Sequence, residues 1–497
     1  MALPQVPVAG ATPESSVNTV EAAPHVGQTI GYEGREYTTI KEGLAHILVP
    51  HGIPTSNDPK MSKEDTQKQQ VFYNPIQQFN RDLSVLAIKT FGEDLVHRKR
   101  QKHEHAQKKA TKKKRKVERV ENENDQWAAL PSHDPPSKKR KTAHNTGEVQ
   151  LPSTEDTPTT SDMQAGESPP YKPGFRILDA LSATGLRALR YAQEIPFATS
   201  ITANDMSSKA TESIALNVKH NKLEDKIRAT TGNAIAHMYS FVDKSGYDVI
   251  DLDPYGTAAP FIDSAIQAIN DEGLLCVTCT DSAIFASHGY LEKTYSQYGG
   301  LPLKGEPCHE GGLRLILHAI ASSAGRYGMA IEPLLSLSID YYIRVFVRVR
   351  KAPNEVKLLA GKTMIVYHCD NGCGAWSTQY LARNKLVLNK AGGSFYKHSF
   401  AAAPSANELC DHCDRKAHVG PARLLFLLVT DIITALWTDV GWTFTQCRLH
   451  RKGLSTVECR RSRDISYNGS HGGHASDSTR RGHIWHPAEQ ARRSQDG

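Results

Sequence analysis

The chain holds 497 residues and carries 60 Lys and Arg against 53 Asp and Glu, a formal net charge of +7. That length suits two or three domains. No apolar run is long enough to span a bilayer: the longest candidate, Leu424 to Leu436, is short and contains Asp431. The start lacks the basic-then-apolar order of a secretory signal, and nine cysteines over this length do not make a disulfide scaffold, so a reducing compartment is expected.

Residues 1–26 are rich in Pro, Ala, Ser and Thr and read as a disordered tail, acidic rather than Arg-rich and so unlike a mitochondrial leader. Order is expected from about Gly31. Ile40 to Val49 reads as a short amphipathic helix, and Val71 to Phe91 as another, which carries Asn80-Arg81-Asp82. The stretch 97–170 is different material, with basic blocks at Lys112–Lys116 and Lys138–Lys141 in a polar, Pro-containing background. Such composition buries too little surface to fold, so a disordered basic insertion is expected. Its blocks suit binding of the nuclear import machinery and contact with RNA phosphates, against the plainer reading of a solvated linker.

From Tyr171 the pattern turns to alternating strands and helices. Phe175 to Asp179 is a strand ending in an acid, followed by the small-residue turn Ala180 to Gly185 and a helix from Leu186. Ser200 to Asp205 again ends in an acid, Ile227 to Thr231 leads into Gly232-Asn233-Ala234, and Tyr247 to Leu252 runs into Asp253-Pro254-Tyr255-Gly256. This alternation means an α/β fold with a parallel sheet, whose ligands bind at the carboxyl ends of the strands. A dinucleotide site would want Gly-x-Gly-x-x-Gly, yet Gly185 stands alone. A nucleoside without phosphates fits better, with Asp179 and Asp205 as polar anchors and Asp205 where a ribose-diol acceptor belongs, roughly 20 residues or somewhat more past the turn. S-adenosylmethionine is such a ligand. Singly, the two acids read equally well as caps of the following helices.

Asp253-Pro254-Tyr255 suits methyl transfer to an exocyclic amine. The carboxylate and the proline carbonyl would accept hydrogen bonds from the two N–H groups, and the aromatic ring would stack on the base. A plain Asp-Pro turn is the alternative. Later strands are expected at Gly273 to Thr280 and, as one run, at Leu335 to Val349. Cys276 and Cys279 read as core thiols, and Asp281 as a cap or a second polar contact.

Cys369, Cys373, Cys410 and Cys413 form two close pairs with the layout of a closed structural zinc site; His368 and His412 lie beside them. Beyond Gly420 the pattern lapses into Arg/Ser/His/Gly-rich sequence without period, so 421–497 reads as a divergent, poorly ordered tail and the preceding domain, 350–420, as incomplete.

Taken together, Val71-Phe72-Tyr73-Asn74-Pro75, Asn80-Arg81-Asp82-Leu83-Ser84, Leu178 to Arg187, Asn204-Asp205, Gly232-Asn233-Ala234, Asp253-Pro254-Tyr255-Gly256 and Pro333 to Val345 resemble the tRNA (guanine-26-N2)-dimethyltransferases, in their eukaryotic, fungal form. The likeness covers about Gly27 to Gly420 apart from the insertion. It implies a Rossmann-like class I methyltransferase domain over 27–349, a smaller α+β, zinc-bearing C-terminal domain truncated here, and tRNA as partner. By the same resemblance Arg81, Arg187, Asp205, Asn233 and Ala234 line the S-adenosylmethionine site, Asp253 is the catalytic carboxylate, and Tyr255 and Phe72 hold the guanine; the family usually has Phe where Tyr255 stands. Arg81 would pair with the methionine carboxylate. A nuclear location with a mitochondrial pool, no membrane and no obligate protein partner complete the expectation. Rival readings are methylation of another planar amine, such as adenine N6 or a glutamine side chain, and an inactive RNA-binding or chaperone relative.

Overall fold

The computed structural model describes residues 18–51, 73–128 and 171–420 apart from short interruptions, together with 456–458 and 483–485. Phe72, Cys410, the basic block at Lys138–Lys141 and most of the expected C-terminal tail therefore lie outside the described residues. Among the described residues no helix is long and apolar enough to cross a membrane.

Three antiparallel strands open the described chain: β1 (Thr29–Tyr32), β2 (Arg35–Glu42) and β3 (Ala45–Pro50). The helix expected over Ile40 to Val49 is instead the β2–β3 hairpin, in which Glu42 faces Ala45 across the Gly43-Leu44 turn and Gly43 takes φ +58°. Gly makes that positive φ cheap, and the β-branched Ile40, Ile47 and Val49 favour the strand; a ten-residue apolar run fits either period. Order also starts earlier than expected. Asn18 donates its backbone N–H to Thr29, and Val20 is buried with Ile30 and Leu48.

Asn74 caps a 3₁₀ turn at Pro75–Gln77 by accepting the Ile76 N–H, and the chain continues as α1 (Gln78–Ala128). Arg81, Ser84, Val85, Ile88, Phe91 and Leu95 recur at helical spacing and are buried. The helix does not stop at His97 as expected for a disordered insertion. Its second half is mostly Lys, Glu, Gln, Arg and Ala, which are strong helix formers even without a core to pack on. The chain divides into two compact units, one of Met1–Leu95 with Gly174–Gly497 and one of Val96–Pro173. Within the second, the His103 and Tyr171 rings stack 3.9 Å apart.

The main sheet contains β4 (Arg176–Asp179), β5 (Ser200–Asp205), β6 (Ile227–Thr231), β7 (Tyr247–Leu252), β8 (Ile269–Cys279), β9 (Met329–Ile339) and β10 (Tyr342–Lys351) in the order β9-β10-β8-β7-β4-β5-β6. Neighbours from β8 to β6 pair in parallel, whereas β10 runs antiparallel to both β8 and β9. The single strand expected over Leu335 to Val349 is thus a hairpin, with Ile339 facing Tyr342 across the polar Asp340-Tyr341. Two three-residue strands, Thr456–Glu458 and His483–Trp485, extend the sheet beyond β9. Crossover helices α2 (Leu186–Glu194), α3 (Ser208–His220), α4 (Ala234–Tyr239) and α5 (Ala259–Ala268) link the parallel strands, and a later helix, Cys308–Arg326, joins the core that Ile250, Leu252, Leu275, Val277 and Val345 centre. Cys276 and Cys279 sit fully buried in β8.

A smaller sheet follows, in which β11 (Met364–His368) pairs with β12 (Trp376–Tyr380) and with β15 (His418–Gly420). Between them β13 (Ala382–Leu388) and β14 (Ser394–Phe400) form a separate antiparallel hairpin.

Candidate active site

The strand order sets β5, β4 and β7 side by side, so Asp205, Asp179 and Asp253 end up on one rim of the sheet, at its carboxyl ends. Asn233 and Ala234 follow β6 on the same rim. The turn after β4 is tight. Ser182 N–H donates to the Asn204 carbonyl, Ala183 has φ +50°, and Gly185 reaches φ +79° as it enters α2. An Ala at Gly185 would need that left-handed backbone with its Cβ 3.2 Å from Ile214 Cγ2.

The strand-end acids differ in surroundings. Asp179 is wholly buried; its Oδ2 accepts the Ser182 hydroxyl at 2.6 Å, and its Oδ1 has no hydrogen-bond partner among the described residues. Register places it directly beside Asp251 of β7. Burial first, and then the Asp251 charge, push its carboxyl up to about 7. It does not cap α2. Asp205, half-buried, accepts the Ala183 N–H at Oδ2 (3.0 Å) and the Ser207 N–H at Oδ1 (2.9 Å), and Ser207 in turn caps α3. Asp205 thus does not itself cap α3 but holds the residue that does, with oxygen lone pairs left over for a ligand. Asn233 caps α4 through Ile235 N–H, beside the buried Ala234.

Asp253 is held by an arginine. Arg187 donates to its Oδ2 from Nε at 2.9 Å and Nη2 at 2.5 Å. The carboxylate keeps about a quarter of its surface exposed, at 26%. Burial alone would raise its pKa, but Arg187, Arg344 and the Thr278 hydroxyl outweigh that and hold it below the usual range, so it is ionised at neutral pH. Pro254 is buried, whereas Tyr255 is 77% exposed, an aromatic face offered to solvent at the rim.

The Asn80-Arg81-Asp82 signature joins the rim through α2. Ser84 donates to the Asn80 carbonyl at 2.6 Å and accepts from Arg187 Nη1 at 3.2 Å. Asp82 accepts from Arg190 at 2.6 Å. Arg81 makes a bidentate pair with Glu42 at 2.6 and 2.5 Å, and Glu42 also accepts from Arg190. Arg81 is thus tied to a protein carboxylate here.

Beneath the rim lies a buried ionic layer that sequence reasoning missed. Arg344, from the antiparallel β10, donates from Nη1 to Asp251 Oδ1 and to the Thr278 hydroxyl, both at 2.7 Å. Tyr191 donates to Asp251 Oδ2 at 2.5 Å. An acid inside the apolar strand Tyr247 to Leu252 and an arginine inside the apolar run Tyr342 to Val349 were the available signals. Asp281, considered as a cap, instead accepts the Tyr298 hydroxyl at 2.8–2.9 Å, and burial raises its pKa.

In the C-terminal part the sulfur atoms of Cys369, Cys373 and Cys413 lie within 4.8 Å of one another, with Cys369 and Cys413 at 3.5 Å.

The model of the family described as "N2,N2-dimethylguanosine tRNA methyltransferase" matches residues 52–440. The chain belongs to this family. Among its members, the chain is 41% identical over 351 residues to the tRNA (guanine(26)-N(2))-dimethyltransferase of Schizosaccharomyces pombe, covering 71% of this chain and 58% of that protein. It is 39% identical over 393 residues to the mitochondrial tRNA (guanine(26)-N(2))-dimethyltransferase of Saccharomyces cerevisiae, covering 78% and 60%. The chain thus spans between about half and three-fifths of the length of the curated relatives it matches. Among solved structures it is similar to Trm1 from Pyrococcus horikoshii in complex with S-adenosyl-L-methionine, at 22% identity and a TM-score of 0.49 over 80% of this chain and 76% of that one.

Proposed function

We propose that this family member transfers methyl groups from S-adenosylmethionine to the exocyclic N2 of guanine 26 in tRNA, in two rounds, giving N2,N2-dimethylguanosine. The observation that carries the reading is the ionised, arginine-held Asp253 two strands from Asp205 on one rim of the sheet. Relatives named for this reaction support it.

The donor would lie over the turn of β4. Asp205 would accept from its ribose hydroxyls, Asn233 and Ala234 would flank its base, and Asp179 Oδ1, a buried acceptor without a partner, suits a ligand rich in N–H and O–H donors. Arg187 and Arg81 would border the methionine end; each is paired to a protein carboxylate here. When bound, the donor supplies a methyl on a sulfonium that needs no further activation. Asp253 and the Pro254 carbonyl accept the two N2 hydrogens, turning the lone pair toward the methyl carbon. The N2 lone pair takes the methyl while the carbon–sulfur electrons stay on sulfur, and the N2 proton leaves by way of Asp253 to water. An alkylated exocyclic amine is a strong acid before it loses that proton, so a weak base suffices. Tyr255, and Phe72 outside the described residues, would stack on the extruded guanine.

We further propose structural zinc at Cys369, Cys373 and Cys413 with Cys410 as fourth ligand. Zn–S bonds of about 2.3 Å put tetrahedral sulfurs ~3.8 Å apart, close to the observed spacing. Metal analysis finding no zinc in the purified chain would remove this part. The basic insertion would serve nuclear import, with a mitochondrial pool suggested by the named yeast relative.

The decisive test is nucleoside mass analysis of tRNA treated with the chain and with Asp253→Ala. The variant is expected to lose dimethylguanosine at least ~10³-fold, the scale of a lost positioning group, while binding S-adenosylmethionine within a few fold of the parent. Equal product from both would remove Asp253 from the chemistry; product at adenine would redirect the substrate assignment.

A further inference from the structure

The hairpin β13–β14 pairs with no other strand among the described residues. Its register sorts its side chains into two faces, because successive residues of a strand alternate. On one face Arg383 lies opposite Ser399, Lys385 opposite Lys397, and Val387 opposite Phe395. Lys385 and Lys397 are both exposed, and Phe395 is 51% exposed.

Like charges directly opposite on an antiparallel pair destabilise it, and a two-stranded hairpin has little stability to spare. The hairpin itself supplies no counter-charge: from Asn371 to Ala406 the sequence contains no Asp or Glu. An acid-free face with three cations beside an exposed aromatic ring is the chemistry of a nucleic-acid surface, in which cations meet phosphates and the ring stacks on an unpaired base. A membrane or an apolar protein patch would use the opposite face, where Leu386, Leu388 and Phe400 are exposed.

We propose that this hairpin is an RNA-docking ribbon: Arg383, Lys385 and Lys397 pair with phosphates of the tRNA substrate, and Phe395 stacks on a base outside the helical stems. The inference rests on the proposed function, since RNA is the substrate that reading requires.

The test uses the full chain and an unmodified tRNA transcript. Dissociation constants are measured over about 50 to 200 mM salt for the parent, Lys385→Gln/Lys397→Gln, and Lys385→Arg/Lys397→Arg. The Gln pair is expected to bind about tenfold more weakly and to flatten the log–log salt slope by about 1.5, as loss of two phosphate contacts requires. In methyl transfer it raises KM for tRNA and leaves kcat unchanged. The Arg pair, which keeps the charge, binds like the parent. Unchanged affinity and slope in the Gln pair overturn the ribbon, as does an Arg pair as weak as the Gln pair, or a Gln pair whose change is in self-association. The two readings fail separately. Normal methylation with unchanged KM in the Gln pair sinks the ribbon alone. Weakened tRNA binding in the Gln pair, with no methylation by the parent, supports the ribbon and sinks the proposed activity.

Discussion

The rim of the main sheet and the β13–β14 hairpin use the same kinds of cation to opposite ends. At the rim, Arg187 and Arg344 are buried and matched to Asp253 and Asp251 by hydrogen bonds of 2.5 to 2.9 Å. On the hairpin, Lys385 and Lys397 face each other in water without a nearby acid in the sequence. A buried charge matched to an opposite one is costly to disturb and fixes geometry; an exposed, unbalanced one contributes little to the fold and stays available for a partner. Position is therefore stored in the first region and affinity in the second, and substitutions in the two should differ in size and in sign.

The largest effect is expected at Arg344. Arg344→Met keeps the apolar stem but leaves Asp251 buried without its closest cation, which should lower unfolding stability by about 3–5 kcal/mol in urea denaturation. It should also remove the Arg344 charge that helps hold the Asp253 carboxyl low, so that the pH at which methyl transfer falls off in acid moves upward. A loss under about 1 kcal/mol would mean that Arg187 and Tyr191 alone satisfy Asp251, and the contrast with the hairpin would shrink.

How much of this was legible beforehand depended on how local each feature is. Asp179, Asp205 and Asp253 each close an apolar strand, so the acids on the rim could be read from strand endings alone. Adjacency could not. That Asp179 lies beside Asp251, or that Glu42 binds both Arg81 and Arg190, depends on register and on contacts across 39 to 148 residues. Arg344 is hard to see because Leu335 to Val349 reads as one strand; only the antiparallel pairing of β10 with β9 and β8 sets it next to Thr278. The β2–β3 hairpin was misread for a local reason, since its short apolar run satisfies both periods and Gly43 alone breaks the tie. The basic stretch from His97 to Ala128 departs from the expectation because composition reports on the absence of a core, whereas helix propensity needs none.

A second prediction probes the rim by pH. The Asp179 carboxyl is raised from 3.8 to about 7, so the folded chain holds this proton where the unfolded chain has released it. The stability it contributes is fully present below about pH 4 and is lost as pH rises through about 7. Asp179→Asn keeps an acceptor for Ser182 and cannot ionise. Relative to this variant, the parent should lose stability between pH 5 and pH 8, on the order of 3 kcal/mol. A parent and variant that change in parallel over that range would mean Asp179 is already ionised at pH 5, with the Ser182 hydroxyl and Arg187 sufficient to hold it so.

The smallest effect, and the one of opposite sign, belongs to the hairpin. Lys385→Gln removes one member of a like-charge pair held directly across the strands, on a hairpin whose own sequence carries no acid. The fold should gain roughly 0.2–0.5 kcal/mol, the low end of a cross-strand term because both ends are exposed and screened. The gain should fade as salt is raised, since screening already weakens the repulsion in the parent. Loss of stability in Lys385→Gln would mean that the lysine stem packs on the hairpin more than its charge repels Lys397. Exposed charge would then be contributing to the fold after all, and the division between a rim that stores position and a hairpin that stores affinity would have to be drawn elsewhere.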